Sequence, residues 1–483
     1  MNVKALIIAS VAFSLVTLPI AAYSKAFPLP GGDLSDSSAW GDVGFPGEDD
    51  EVIVKQPGTY TASSDLSIGR FELQTSDVRV GLAPNRNVTL FEANSTSSTA
   101  LRLGGEGMDN FISGGFWYAP NEGRVHFLRH DNHVPSKSSS LTVSGSVFTN
   151  HTAAVMITRL NNSTVTFTDA SKLYVNKDVT GIEKANDGTG VVFTNNTVVI
   201  KNGSQVTVGQ HLYPDSRGID NLFLLEGDGS LIKVINTVYF GNGTNCVFRI
   251  SNNAHAELKV VICGRNGDYN RIVVDSGATA NMSNITIGQN AGTKGNGLEL
   301  LNAGSVICSR VDVGITSSSV DSYVVVSNTS LTTGSWNIGS SDGTSTGSKL
   351  ILQGSSPSIT SIDKSVFKVY SGSEIVWNIP AEGYAADMIP LKITKFDWPS
   401  EDVKFTVKCK DFRRRGGGKV QLMIANHSTW LNLGNGVSSS GCLNNIIEKM
   451  NAQRARTGCH FAVEDKKLVC TIDPLPGLVI SIK

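Results

Sequence analysis

The sequence predicts an all-β protein, a right-handed parallel β-helix with coils of about 25 residues, closed by a small C-terminal α+β segment. Three observations carry this reading. A strand-then-turn signature recurs at a nearly fixed interval, a second column of short strands alternates with period two beside it, and the composition is rich in turn formers, with 49 Gly.

The recurring signature is an apolar run, one polar residue, then Gly, Ala or Asn. It reads Leu141–Val143 with Ser144-Gly145, Val165–Phe167 with Asp169-Ala170, Val198–Ile200 with Asn202-Gly203, Leu222–Leu225 with Glu226-Gly227, and Val247–Ile250 with Ser251-Asn252. It continues as Ile272–Val274 with Ser276-Gly277, Leu298–Leu301 with Asn302-Ala303, Tyr323–Val326 with Ser327-Asn328, and Leu350–Leu352 with Gln353-Gly354. The last-named residues are separated by 25, 33, 24, 25, 25, 26, 25 and 26 positions, an internal repeat. The polar-plus-Gly pair suits a turn with left-handed angles, and Gly227, Gly277, Ala303 and Gly354 are expected to stack in one line.

The second column reads Val206-Thr207-Val208-Gly209, Val238-Tyr239-Phe240-Gly241, Val261-Ile262-Cys263-Gly264, Ile285-Thr286-Ile287-Gly288, Val311-Asp312-Val313-Gly314 and Trp336-Asn337-Ile338-Gly339. Outer positions are apolar and the middle one is usually polar, so Val208, Phe240, Cys263, Ile287, Val313 and Ile338 are expected to point inward. A single coil buries too few side chains to offset its ordering entropy. Stacked in parallel, successive coils satisfy one another's backbone groups.

The expected organisation is a signal peptide over 1–24, an N-terminal cap with the first coils over 25–139, regular coils over 140–379 and a capping domain over 380–483. Lys4 precedes an apolar run from Ala5 to Ala22, and small residues at Ala22, Ser24 and Ala26 suit cleavage. Pro19 shortens the run below a membrane span, and no later stretch is apolar enough to cross a bilayer. The expected location is therefore secreted or cell surface. The net charge of −1 names no partner, and no nucleic-acid partner is expected. From Pro380 onward fifteen Lys or Arg stand against ten Asp or Glu, leaving 26 against 32 before it. The cluster Arg413-Arg414-Arg415 reads as a solvated hairpin tip, and Ser440 as the cap of a helix bearing Leu443, Ile446, Ile447 and Met450.

An open stack needs caps at both ends. Trp40, then Phe45-Pro46-Gly47, Asp49-Asp50 and the strand Val52-Ile53-Val54 supply the first. This opening resembles secreted bacterial β-helix proteins of autotransporter-passenger type. The chain departs from that type at its other end, where about 100 residues after Pro380 are too few for a membrane barrel.

Cys246, Cys263 and Cys308 fall in or beside the strand columns and read as buried thiols, whereas Cys409, Cys442, Cys459 and Cys470 are disulfide candidates with the pairing open. Catalysis on such a scaffold needs carboxylates gathered on neighbouring strands. The regular coils scatter theirs. The long interval from Ala170 to Gly203 and the loop from Gln210 to Asn221 carry the enzyme alternative: Asp178, Glu183 and Asp187, then His211, Asp215, Arg217 and Asp220. His126, His130 and His133 with Asp131 are weak metal candidates against a reading as uncoordinated surface histidines. Trp117 and Tyr118 could offer a platform to a sugar ring, with core packing as the competing reading. No cofactor is expected. The function read from the sequence is a non-catalytic structural or adhesive protein that binds an extended partner, a glycan or another surface protein, through repeated outward positions such as Thr207, Thr286, Asp312 and Asn337. The alternative is a secreted polysaccharide lyase or glycoside hydrolase.

Overall fold

The computed structural model describes residues 24–26, 28–91, 99–120, 123–129, 138–182, 193–215, 217–316, 318–362, 365–385, 387–397, 403–425, 447–448, 450–452, 458–465 and 467–475. They form a parallel β-solenoid of about 13 turns spaced about 26 residues apart. One sheet takes a single strand per coil, from Gly32–Asp33 to Lys404–Lys408. The other takes two per coil, and in the middle of the rod these fuse into bent strands: Leu231–Phe240, His255–Cys263, Thr279–Ile287, Ser305–Val313 and Ser330–Ile338.

Register in the single-strand sheet is unbroken. Leu222 faces Val247, which faces Arg271, then Gly297, Tyr323 and Lys349. In the two-strand sheet Phe240, Cys263, Ile287, Val313 and Ile338 form one continuous, fully buried line. Val208 is equally buried but belongs one column over, because Gln205–Val208 pairs with Leu231 to Val234. The strand His211–Tyr213 occupies the place expected for it, with Leu212 opposite Val238. A similar Val-x-Val pattern in two adjacent strands of one coil hid the difference, and it moves Thr207 opposite Lys233, away from Thr286, Asp312 and Asn337.

The turn line is also shifted. Extending the pairing by one or two residues aligns Gly145, Asp169, Asn202, Gly227, Asn252, Ser276, Asn302, Asn328 and Gly354, all at positive φ. Gly277 and Ala303 sit one place further along. Asn dominates because its short polar side chain tolerates the left-handed region and reaches its counterpart, as Asn328 Nδ2 does in donating to Asn302 Oδ1 at 3.1 Å.

A third column has no counterpart in the sequence reading. In nine successive coils a residue at the start of the single-sheet strand is buried and, except for Cys246, polar: Ser163, Asn196, Asn221, Cys246, Asn270, Asn296, Ser322, Ser348 and Ser373. The Asn270 side chain accepts from Cys246 N–H at 3.1 Å and donates to Asn296 Oδ1 at 3.2 Å, while Asn296 Oδ1 also accepts from Asn270 N–H at 3.0 Å. Asn196 and Asn221 repeat the contact at 2.9 and 3.2 Å. These amides bend the chain into each strand without orphaning buried backbone groups.

At the first end Trp40, on the short 3-10 helix Ser37–Val43, is buried and donates Nε1 to Leu34 O at 3.0 Å. At the other end parallel pairing runs past residue 380, through Lys404–Lys408 and one edge of Gly418–Ala425. The opposite edge of Gly418–Ala425 pairs antiparallel with Lys467–Ile472, and Cys459–Glu464 completes a hairpin across the last coil. Arg413 and Arg414 end the one-turn helix Lys410–Arg414 instead of tipping a hairpin, because the chain uses that turn to pass from the last single-sheet strand to Gly418. Of the expected helix, 447–448 and 450–452 are described as helical, with Met450 buried; Leu443 and Ile446 lie outside the described residues. Residues 1–23 lie outside them as well.

Asn270→Ala is expected to cost about 1–3 kcal/mol, since it leaves the buried Cys246 amide without an acceptor. Asn266→Ala, in the exposed ladder with Asn242 and Asn290, should cost well under half of that in the same urea titration.

Candidate functional site

The candidates from the irregular loops do not converge. Asp215 is turned inward and only 1 % exposed, its Oδ1 accepting from Gly218 N–H at 2.8 Å and Asn221 Nδ2 at 3.1 Å. Burial raises its pKa, opposed by those hydrogen bonds. It stands beside Cys246, which takes the place of Asn in the buried polar column, and it supplies the Asn221 amide with a side-chain acceptor to go with Phe193 O at 3.1 Å. Arg217 and Asp220 face solvent, and Asp220 accepts from Asn245 Nδ2 at 2.6 Å within the turn ladder. His211 is half-buried beside Tyr213 and Tyr239, its backbone N–H donating to Asp178 Oδ1 at 3.0 Å. Glu183 and Asp187 lie outside the described residues.

Trp117 is a core residue, 2 % exposed, stacked on Phe148 at 5.7 Å and edge-on to Phe71 at 5.4 Å, so it offers no platform to a ligand. Strand alternation decides this: Tyr118, its neighbour, is exposed and meets His151 edge-on. His126 is likewise inside the wall, 1 % exposed, with Arg129 Nη1 at 3.0 Å from its Nδ1. Burial, reinforced by Arg129 and three further arginines, pushes its pKa down to about 3, so the ring is neutral. His130, Asp131 and His133 lie outside the described residues. Among the described residues no group of three His, Cys, Asp or Glu is placed to hold a metal ion, and no helix is long and apolar enough to cross a membrane.

Cys246, Cys263 and Cys308 are buried free thiols, and burial pushes Cys308 up to about 12. Cys409 Sγ and Cys459 Sγ approach to 3.6 Å, longer than a disulfide of about 2.05 Å, and Cys470 is held in its thiol form by its hydrogen bond to Cys459 and by burial. Cys442 lies outside the described residues.

One feature of the outer wall breaks the repeat's own rules. The turn entering each single-sheet strand places Asn162, Asn195, Asp220, Asn245, Tyr269, Gly295, Asp321, Gly347 and Gly372 in one line, all at positive φ. Eight are residues suited to that backbone. Tyr269, at φ 57°, is not, and a bulky side chain held there costs about 1–3 kcal/mol. Its ring lies across Gly295 in the next coil, where a Cβ would come within 2.5 Å of it. From the coil beyond, the Tyr323 ring leans back across Gly297, where a Cβ would come within 2.3 Å. Two aromatic rings thus overlie two glycines of the coil between them.

The rings help line a concavity of about 590 Å³, together with Arg271, Asp321 and Lys349. Tyr269 is 47 % exposed, and Lys294 Nζ lies 6.0 Å from its ring centre. The Tyr323 hydroxyl donates to Glu299 Oε1 at 2.7 Å; burial and that carboxylate raise its pKa, so it stays a donor. Arg271 approaches Glu299 at 3.9 Å, whereas Lys349 has no carboxylate within ion-pair distance among the described residues. The sequence signal was the single Tyr in a turn position otherwise held by Asn, Asp and Gly, legible only once the strands are in register.

Elsewhere on the stacked faces three carboxylates are engaged, Asp275 and Glu257 by a cation of the preceding coil and Asp312 by one on its own strand. Asp275 meets Arg249 at 2.5 Å, Glu257 meets Lys233 at 2.6 Å, and Asp312 meets Arg310 at 2.8 Å while accepting from Asn337 Nδ2 at 2.7 Å. No family model, characterised protein or solved structure matches the chain, so the reading rests on this geometry.

His126 yields a pH prediction. Its folded pKa lies below the unfolded value of 6.5, so the stability that depends on its neutral form is complete above pH 6.5 and is lost as pH falls toward 3. Thermal melts from pH 7 to pH 4 should show a smaller fall for His126→Gln than for the native chain; equal falls would contradict a neutral buried ring.

Proposed function

We propose that the protein is an exported, non-catalytic rod that binds an extended polymeric partner along the outer face of its single-strand sheet. The observation that supports this most is the basin of Tyr269 and Tyr323, which opens on a face whose side chains repeat at the coil spacing of about 4.8 Å. A stiff ladder of weak contacts adds through multivalency when the partner is itself repetitive. The enzyme alternative draws less support, because its residues either serve the wall, as Asp215 does, or point away separately, as Arg217 and Asp220 do. Export and surface location belong to the same reading, as do the likeness to autotransporter passengers and disulfides among Cys409, Cys442, Cys459 and Cys470 in an oxidising compartment.

Prolonged incubation of the purified chain with surface polysaccharides and proteins should show retention of a polymer without shortening it. The double variant Arg217→Ala, Asp220→Ala should retain it equally. Product chains that disappear in the double variant would establish the lyase or hydrolase alternative.

A further inference from the structure

We infer that the basin formed by Tyr269, Tyr323, Gly295 and Gly297 is a subsite for the pyranose rings of a glycan; the inference rests on the binding role proposed above and names its ligand class. Four observations converge. Tyr269 occupies a backbone conformation that its eight counterparts fill with Asn, Asp or Gly, so its side chain is held at the expense of local stability. That is the pattern of a position kept for what the side chain does at the surface, since Asn here would join the turn ladder as Asn245 does one coil earlier. The ring is not absorbed by the core, being 47 % exposed.

Glycines at 295 and 297 then remove the two side chains that would otherwise stand under the rings, so each ring can lie flat against the wall and keep a face toward solvent. A flat aromatic face with its edge anchored, as the Tyr323 hydroxyl is by Glu299, matches the apolar C–H face of a pyranose. Around the rings stand groups suited to sugar hydroxyls: Asp321 as acceptor, Arg271 and Lys349 as donors, with Lys349 lacking an ion-pair partner among the described residues. A protein partner would be expected to meet a continuous apolar surface. Here two separated rings are framed by polar groups, and the side positions repeat coil by coil in the manner of a polymer of similar units.

The test is calorimetric titration of the mature chain with hexasaccharides of xylan, glucan, mannan and polygalacturonate, compared with Tyr269→Asn and Tyr269→Phe. A glycan should bind the native chain, bind Tyr269→Phe comparably, and lose about tenfold or more in affinity with Tyr269→Asn, whose melting temperature should be equal or higher. That rise separates loss of a ligand contact from loss of fold. Binding unchanged in Tyr269→Asn would overturn the subsite and leave the binding role standing. Failure of every glycan, with retention of an extended protein, would do the same. Failure of every extended polymer would sink both.

Discussion

Each coil depends on the next for its backbone hydrogen bonds. No coil closes its own N–H and C=O groups; strand after strand donates and accepts across a parallel register that is continuous from residue to residue. A slip of one residue would turn every inward side chain out, so register must be enforced at many points. The enforcement is visible as columns: fully buried Phe240, Cys263, Ile287, Val313 and Ile338 on one wall, left-handed turns at two corners, and buried amides where the chain enters the other wall.

The amide column shows how costly a break is and how the fold absorbs it. Cys246 interrupts the run from Asn196 to Asn296, and the coil before it carries a longer loop that brings Asp215 into the gap. A residue that looks catalytic in the sequence, an acid in an irregular loop flanked by His and Arg, is thereby a structural acceptor. Its raised pKa follows from burial, which is why a perturbed acid is a weak argument for chemistry without a cleft around it.

Spacing and alternation alone made the solenoid and its buried line legible, since these depend on residue type at fixed intervals. What remained hidden depended on which copy pairs with which. Two strands of one coil share the Val-x-Val pattern, so pattern alone sets Val208 beside Phe240, and a two-residue turn permits either alignment of Gly277 and Ala303 with Gly354. Trp117 and Tyr118, adjacent in sequence, could not be assigned to core and surface until the pleat was known. The basin needed more still: Tyr269 and Tyr323 are two coils apart and are joined only by the two glycines they overlie in the coil between, which no local pattern singles out. There the wall keeps a residue that its own turn chemistry disfavours, and such a conflict between local rule and surface is where function is to be sought.

Residue-resolved hydrogen exchange of the backbone amides tests the central claim most directly. If buried side-chain amides hold the coils in register, the N–H groups of Cys246 and Asn270, which bond only to Asn270 Oδ1 and Asn296 Oδ1, should exchange as slowly as the interior of the Val247–Ser251 strand. Exchange of those two amides as fast as that of Thr344, whose N–H bonds to the exposed carboxylate of Asp342, would contradict it.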